Sequence, residues 1–339
     1  MNPFLIKVSM IVALLSWLGA TPALFGQSAK LEDLRVSLAS FGVIYYPHFI
    51  ANELGYYRDE GLNVEIIAMP GGLATQALVA GDLDFSTSSG ASLNASLRGI
   101  RLKVVYVNLD RPLYKILSWR NDIRKVPDLR GKGIGIASRG DTMEGAANLI
   151  LRKYNMDPVR DVIWVALGTG GRVTSLAAKT VDSAVLGFAD SLRMQTRGFP
   201  VHEVVNIGKE IKMLYTGLAA AEETVVKRPD LVRRFLRATV KGREFVKRNK
   251  AQSLALGKKY DKSPDDVRSA DYDATMEMMT ADGTEDGETQ RSDIEIAKRM
   301  LNVQKDVPAE QIFDFRFTRE VYKELRELGW ERALRTTGK

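Results

Sequence analysis

Two stretches of this chain run through the same order of local patterns, and that repeat limits the fold more than any other feature. RVSLASFG, Arg35 to Gly42, is a β-like run ending Ala-Ser-Phe-Gly. GIGIASRG, Gly133 to Gly140, is a β-like run ending Ala-Ser-Arg-Gly. The echo continues downstream, where VEIIAMPGGLATQALVAGDLDFS (Val64 to Ser86) is matched by VIWVALGTGGRVTSLAAKTVDSA (Val162 to Ala184). Each gives an apolar strand, a Gly-Gly turn, a short amphipathic helix, a tight turn, and an Asp leading into a second strand. Short apolar runs alternating with helical patterns mark βαβ crossovers on a parallel sheet. The repeat therefore predicts two small α/β lobes; chance likeness between two ordinary βαβ units is the alternative.

In open α/β sheets a ligand sits outside the carboxyl ends of the strands, where helices begin. Two facing lobes make a cleft lined by strand-to-helix loops. These are Ser40 to Tyr46, Pro70 to Ala74 and Ser86 to Ser92 in the first lobe. In the second they are Ser138 to Thr142, Gly168 to Arg172 and Gly187 to Asp190. All are rich in Gly, Ser and Thr, which lets backbone N–H groups face a ligand, and a helix N-terminus adds roughly half a positive charge. Such loops favour a carboxylate, a sulfonate or the polar edge of a heterocycle, although the same residues are ordinary in loops and caps. ANELGYYRDEGLNVEII, Ala51 to Ile67, connects two of these features. Its helix should run from about Pro47 to Leu54, end at Gly55, and place Tyr56 and Tyr57 as packing residues far from the cleft. Gly61 then turns the chain into a strand from Val64, and Tyr45 is the tyrosine left near the ligand.

With 339 residues, 45% of them apolar, the chain has enough material for two cores. A net charge of +7, from 49 Lys and Arg against 42 Asp and Glu, is not the clustered excess of a nucleic-acid groove. Met1 to Lys7 followed by the apolar run Val8 to Ala20 and small residues at Ala20, Ala23 and Gly26 reads as a cleavable signal peptide. An uncleaved anchor is the alternative. No later stretch approaches the roughly 20 apolar residues of a membrane span. The mature chain is expected outside the inner membrane, in the periplasm. There is no cysteine, which removes disulfides, thiolate catalysis and zinc thiolate sites, and with only His48 and His202 no histidine metal cluster is expected.

The first lobe should end near Arg111-Pro112, and YKILSW (Tyr114 to Trp119) should open the second with a strand. The expected boundaries are a signal peptide over 1–27, lobe 1 over 30–112 plus about 220–339, and lobe 2 over 113–219. Arg111-Pro112 and Met213 to Gly217 are the hinge candidates. RPDLVRRFLRATVKGREFVKRN predicts a helix with Pro229 in its first turn. Leu231, Phe235, Ala238, Gly242 and Phe245 would lie on its inner face, with its arginines and lysines on a solvated outer face. Helices are also expected over Asp265 to Met279, Ser292 to Val303 and Thr318 to Leu328, the last closing onto the first lobe. TADGTEDGETQ, Thr280 to Gln290, lacks calcium-loop spacing and reads as a plain surface loop. The glycines of GKGIGIASRG precede and occupy the strand, so the dinucleotide fingerprint is not met, and phosphate-loop and nucleophile-elbow motifs are missing.

YYPHFIANELGYYRDEGLNVEII, GGLATQALVAGDLDFSTSSG, VPDLRGKGIGIASRGD and KRPDLVRRFLRA together resemble the substrate-binding proteins of ABC importers for sulfonates, taurine and nitrate, the SsuA/THI5-like (NMT1) group. The resemblance runs over most of Leu34 to Ala238. It implies a two-lobed type II periplasmic binding protein fold that closes over one small molecule and presents it to an ABC permease and ATPase complex. By position it implies that Phe41, Tyr45, Gly72, Ser88, Ser89, Arg139, Asp141, Thr142, Thr169, Phe188 and Asp190 line the cleft. The match is by loop and not by identical ligand residue. Arg139 is the most informative, because a guanidinium there could pair bidentately with an oxyanion. Phe41, Tyr45 and Phe188 could equally stack on a ring. The reading implies no enzyme, cofactor, metal or nucleic-acid partner, and a monomer. The alternatives are a pyrimidine-precursor synthase, whose cysteine-rich motif is missing here, using Asp141 or Asp190 as base, and a sensory ligand-binding module acting in trans.

Overall fold

The computed structural model describes residues 30–334. The expected signal peptide lies outside the described residues. Ten strands form two five-stranded sheets. In chain order they are β1 (Glu32–Leu38), β2 (Leu62–Ala68), β3 (Phe85–Ser86), β4 (Leu102–Leu109), β5 (Tyr114–Ser118), β6 (Gly133–Ile136), β7 (Ile163–Ala166), β8 (Ser183–Gly187), β9 (His202–Asn206) and β10 (Thr216–Ala221). The first sheet runs β2-β1-β3-β10-β4 and the second β7-β6-β8-β5-β9.

The two orders match position for position. β1 is parallel to β2 and β3, and β6 is parallel to β7 and β8. In each sheet the fourth strand is antiparallel to both of its neighbours. The echo in the sequence is thus an echo of topology, and the chain is a two-lobed α/β protein.

The chain passes between the sheets twice, and the two crossings lie side by side. Met213 N donates to Asp110 O at 2.8 Å and Tyr215 N to Leu109 O at 3.2 Å. The return to the first sheet is complete at Thr216, which pairs with Leu109. Glycine is required there: a Cβ at Gly217 would stand 2.2 Å from the Tyr106 carbonyl oxygen, where the β10 to β4 register shifts.

The helix Pro229–Arg248 holds the first lobe together, with the expected apolar face turned inward. Phe235 stacks on Phe85 at 4.2 Å and on Tyr57 at 5.3 Å, and Gly242 lets the helix approach the Pro47 carbonyl. Tyr56 and Tyr57 are buried, as their place at the end of the Tyr46–Glu53 helix implied. The Tyr57 hydroxyl lies 3.1 Å from both His48 Nδ1 and Thr239 Oγ1. Burial pushes the His48 pKa down to about 3, so the ring is neutral and structural.

Two expectations are corrected. The basic face of the long helix is not simply solvated: Arg243 is fully buried against Glu244, Tyr322 and the Thr280 carbonyl. Arg237 is clamped between Glu60 and Glu324 at 2.8 and 3.0 Å. The acidic segment Thr280 to Gln290 is not a plain surface loop either. Thr280 Oγ1 donates to Val107 O at 2.7 Å, Val107 N donates to Gly283 O at 2.8 Å, and Glu285 is buried. The segment covers an edge strand whose open hydrogen-bonding groups need partners, and its Asp286 caps the helix Gly287–Leu301 through Thr289 N. The helix Arg316–Leu328 closes onto the first lobe, where Thr318 Oγ1 donates to Val105 O at 2.6 Å. Among the described residues no helix is long and apolar enough to cross a membrane.

Candidate functional site

Three connected spaces lie between the lobes. The innermost, about 340 Å³, is lined by Tyr45, Thr87, Ser88, Ser89, Gly90 and Ala91 from the first lobe. Tyr114 and Thr142 face them from the second, and Leu214, Tyr215 and Thr216 of the returning crossing complete the wall. A middle space of about 520 Å³ adds Gly72, Ser138, Asp141 and Asp293, and an outer groove of about 600 Å³ contains Arg139. Gly71, Gly90, Ala91, Thr142 and Leu214 belong to both the inner and middle spaces, so these are one cavity.

The loop after β3 is built from inside the sheet. Ser37 Oγ donates to Ser86 Oγ at 2.9 Å, Ser86 Oγ accepts from Ser88 N at 3.1 Å, and Thr87 Oγ1 donates to Ser37 O at 3.1 Å. This fixes the start of the helix Ser89–Leu97, which has no side-chain cap. Ser89 Oγ is fully buried in the cavity wall and has no hydrogen-bond partner. A buried hydroxyl without a partner carries a desolvation cost of about 1–3 kcal/mol, which a polar ligand atom would relieve. The helix Gly71–Ala80 also begins at the cavity without a side-chain cap. Two uncapped helix starts on one side favour negative charge there.

The opposite helix start is different. Asp141 caps Thr142–Lys153, accepting from Glu144 N at 2.8 Å and from Ser138 N at 3.0 Å. Its carboxylate already supplies the negative charge that this helix end attracts. Thr142 remains on the cavity surface.

The tyrosines supply an apolar wall with polar tips. Tyr114 and Tyr215 meet edge to face, ring centres 5.2 Å apart and planes at 83°. Burial raises the Tyr45 phenol above its usual range, while the Thr87 and Thr216 hydroxyls beside it act the other way, so it stays protonated. In the middle space Asp293 accepts from Leu214 N at 3.0 Å. Burial, then the Asp110 and Asp286 charges, push its carboxyl up to about 7, and burial raises neighbouring Glu285 as well.

Of the residues expected at the cleft, the fold brings Tyr45, Gly72, Ser88, Ser89, Asp141 and Thr142 to the joined cavity. Arg139 stands in the outer groove, 56% exposed and 3.0 Å from Glu144. Phe41 stacks on Phe49 at 5.9 Å instead of lining the cavity. Phe188 packs in the cluster of Leu109, Leu113 and Met278 with Lys115 over its ring, and Asp190 pairs with Arg193. The Thr169 side chain lies outside the described part of the structure, in the first turn of the helix Gly168–Ala177. Sequence reading missed Thr87, Tyr114, Leu214, Tyr215 and Thr216. Thr87 lay inside a named cleft loop, Tyr114 lies just after the hinge candidate Arg111-Pro112, and Leu214, Tyr215 and Thr216 lie within the hinge candidate Met213 to Gly217, because segments crossing between two lobes must also floor the space between them.

Known proteins agree with this architecture. The NMT1/THI5-like family model matches residues 45–253, more than half of the chain. The riboflavin-binding protein RibY of Chloroflexus aurantiacus is 26% identical over 226 residues, 62% of this chain and 62% of RibY. The periplasmic aliphatic sulphonate binding protein SsuA of Escherichia coli superposes with a TM-score of 0.71 at 20% identity, covering 83% of this chain and 91% of SsuA. The desulfurization enzyme DszB has the same fold at a TM-score of 0.63 and 15% identity, covering 86% of this chain and 99% of the enzyme. Duplicated sheet order, side-by-side crossings, an interlobe cavity and the matched residues lead to one assignment: the chain belongs to the NMT1/THI5-like family and has the two-lobed fold of periplasmic binding proteins.

Proposed function

We propose that the chain is the periplasmic solute-binding component of an ABC importer, capturing a small organic anion or a heterocycle between its lobes and delivering it to a permease. The observation that carries this reading is Ser89 Oγ, buried without a partner at an uncapped helix start in the wall of a ligand-sized cavity that Thr142 and Tyr114 of the other lobe also line. A ligand that accepts hydrogen bonds from the first lobe and touches Thr142 would favour the closed arrangement by contacting both lobes. The binding-protein relatives support the receptor reading, and the likeness to a desulfurization enzyme keeps catalysis as the competitor. Two features of the cavity wall support the receptor: among the described residues neither cysteine nor histidine lines it, and Asp141 is occupied as a helix cap, while the raised carboxyl of Asp293 is the acid a catalytic reading would have to use. A thermal-shift screen of alkanesulfonates, carboxylates, aromatic acids and pyrimidines, with product analysis of every hit, tests this. Stabilisation by one class without turnover is expected; product formation by the purified protein would sink the reading.

A further inference from the structure

The outer groove carries more positive charge than a small inner ligand uses. Arg98 and Arg299 enter it from the first lobe, and Arg139 and Arg152 from the second, against one carboxylate, Glu144. Glu144 is engaged by Arg139 and by Gly140 N. Arg299 Nε donates to the Glu295 carbonyl at 3.1 Å, and among the described residues Arg98, Arg152 and Arg299 have no carboxylate within the 4.0 Å of an ion pair. This differs from the long helix Pro229–Arg248, where Arg233, Arg234 and Arg237 each face an acid.

The wall of the groove gives a second, independent sign. Asn148 Oδ1 is buried there with no hydrogen-bond partner. Turning the amide about its last bond exchanges Oδ1 and NH₂, so this side chain can offer the groove either an acceptor or a donor. Trp164, 5.9 Å from the Arg139 guanidinium, and Met300 add an apolar surface. Gly140, Gly145 and Met300 also line the middle space, so the groove continues the ligand cavity. Guanidinium groups from two lobes match the oxygens of a multiply charged oxyanion in bidentate fashion, and binding one relieves their mutual repulsion.

We infer that this groove is a second anion subsite, taking a phosphate or pyrophosphate group at the far end of an elongated ligand whose other end sits at Ser89 and Tyr45. The inner half of that ligand rests on the receptor reading; the anion subsite does not.

The probe is inorganic pyrophosphate, titrated calorimetrically into the purified protein at low salt. Saturable binding is expected, weakened at least about 10-fold in the double variant Arg152→Gln/Arg299→Gln, since charge-assisted bidentate contacts are the strong ones. It should fall steeply with added salt. Melting curves of the variants establish that they fold. No saturable binding, or binding equally tight in the double variant, overturns the subsite. A hit in the small-molecule screen without pyrophosphate binding removes the subsite and leaves the receptor. Pyrophosphate binding lost in the double variant, with no hit in the screen, upholds the subsite and removes the inner-ligand reading.

Discussion

The two lobes share one strand order and use it differently. After β3 the first lobe leaves Ser89 unpartnered in the cavity wall, whereas after β8 the second lobe starts a helix that also lacks a side-chain cap but pairs its first-turn Asp190 with Arg193. After β1 the first lobe delivers Tyr45 to the cavity. At the matching place after β6, the second lobe turns Arg139 outward and caps its helix with Asp141. A duplicated fold thus supplies equivalent positions without making them equivalent sites. In the inner cavity the first lobe offers an unpartnered hydroxyl at Ser89, and the second offers a helix start whose carboxylate, Asp141, is already used as a cap.

The strongest way to break this comparison is to attack the packing that only the first lobe has. Phe235→Ala removes the ring stacked on Phe85 and Tyr57 and should cost about 3–5 kcal/mol in denaturant unfolding, as large-to-small core changes do. A cost below about 1 kcal/mol would mean that the long helix is not what holds the lobe.

A second difference is electrostatic. The first lobe buries Asp293 and Glu285 facing one another, with Lys212 reaching only Asp110 and Asp286, whereas buried Glu144 of the second lobe is ion-paired. An acid whose pKa is raised by folding stabilises the protein below its unfolded value, and that stability is lost as pH rises to the folded value. Unfolding stability should therefore fall between about pH 4 and about 7 through Asp293, and Asp293→Asn should flatten that slope. An identical slope in the variant would locate the titration elsewhere.

Ligand contacts sharpen the comparison further. Ser89→Ala should weaken the bound ligand about 10-fold, the size of one hydrogen bond, while Asp190→Asn at the equivalent loop should change affinity less than about 2-fold. Equal losses in calorimetry would restore symmetry between the lobes. The smallest effect is a gain. Asp141→Asn keeps a good helix cap but removes a charge from the Thr142 helix start, so an anionic ligand should bind about 2- to 5-fold tighter. Weaker binding would make Asp141 a ligand contact instead of a cap.

The duplicated sheets were legible because Gly-Gly turns and strand-helix alternation are local signals, and the repeat doubled each of them. The long helix was legible for the same reason, with Pro229 at its start and Leu231, Phe235 and Ala238 in register. Side-chain destinations were not. Arg243 stands among basic surface residues in the sequence, yet it is buried because Tyr322, 79 residues later, and the Thr280 carbonyl meet it in space. Phe41 and Phe188 occupy cleft loops, but Phe188 packs into an apolar cluster and Phe41, 43% exposed, stacks on Phe49. Tyr215 lies in a segment that reads as a hinge, and only the pairing of the two crossings in space brings its ring to the cavity.

The central claim is that one ligand is held by donors of the first lobe and closed upon by the second. Hydrogen exchange with and without the compound that stabilises the protein most tests it directly. The account predicts slowed exchange at the starts of both cavity helices, residues 89–92 and 142–144, with the ligand recovered unchanged. Protection confined to one lobe, or a ligand recovered as product, would contradict it.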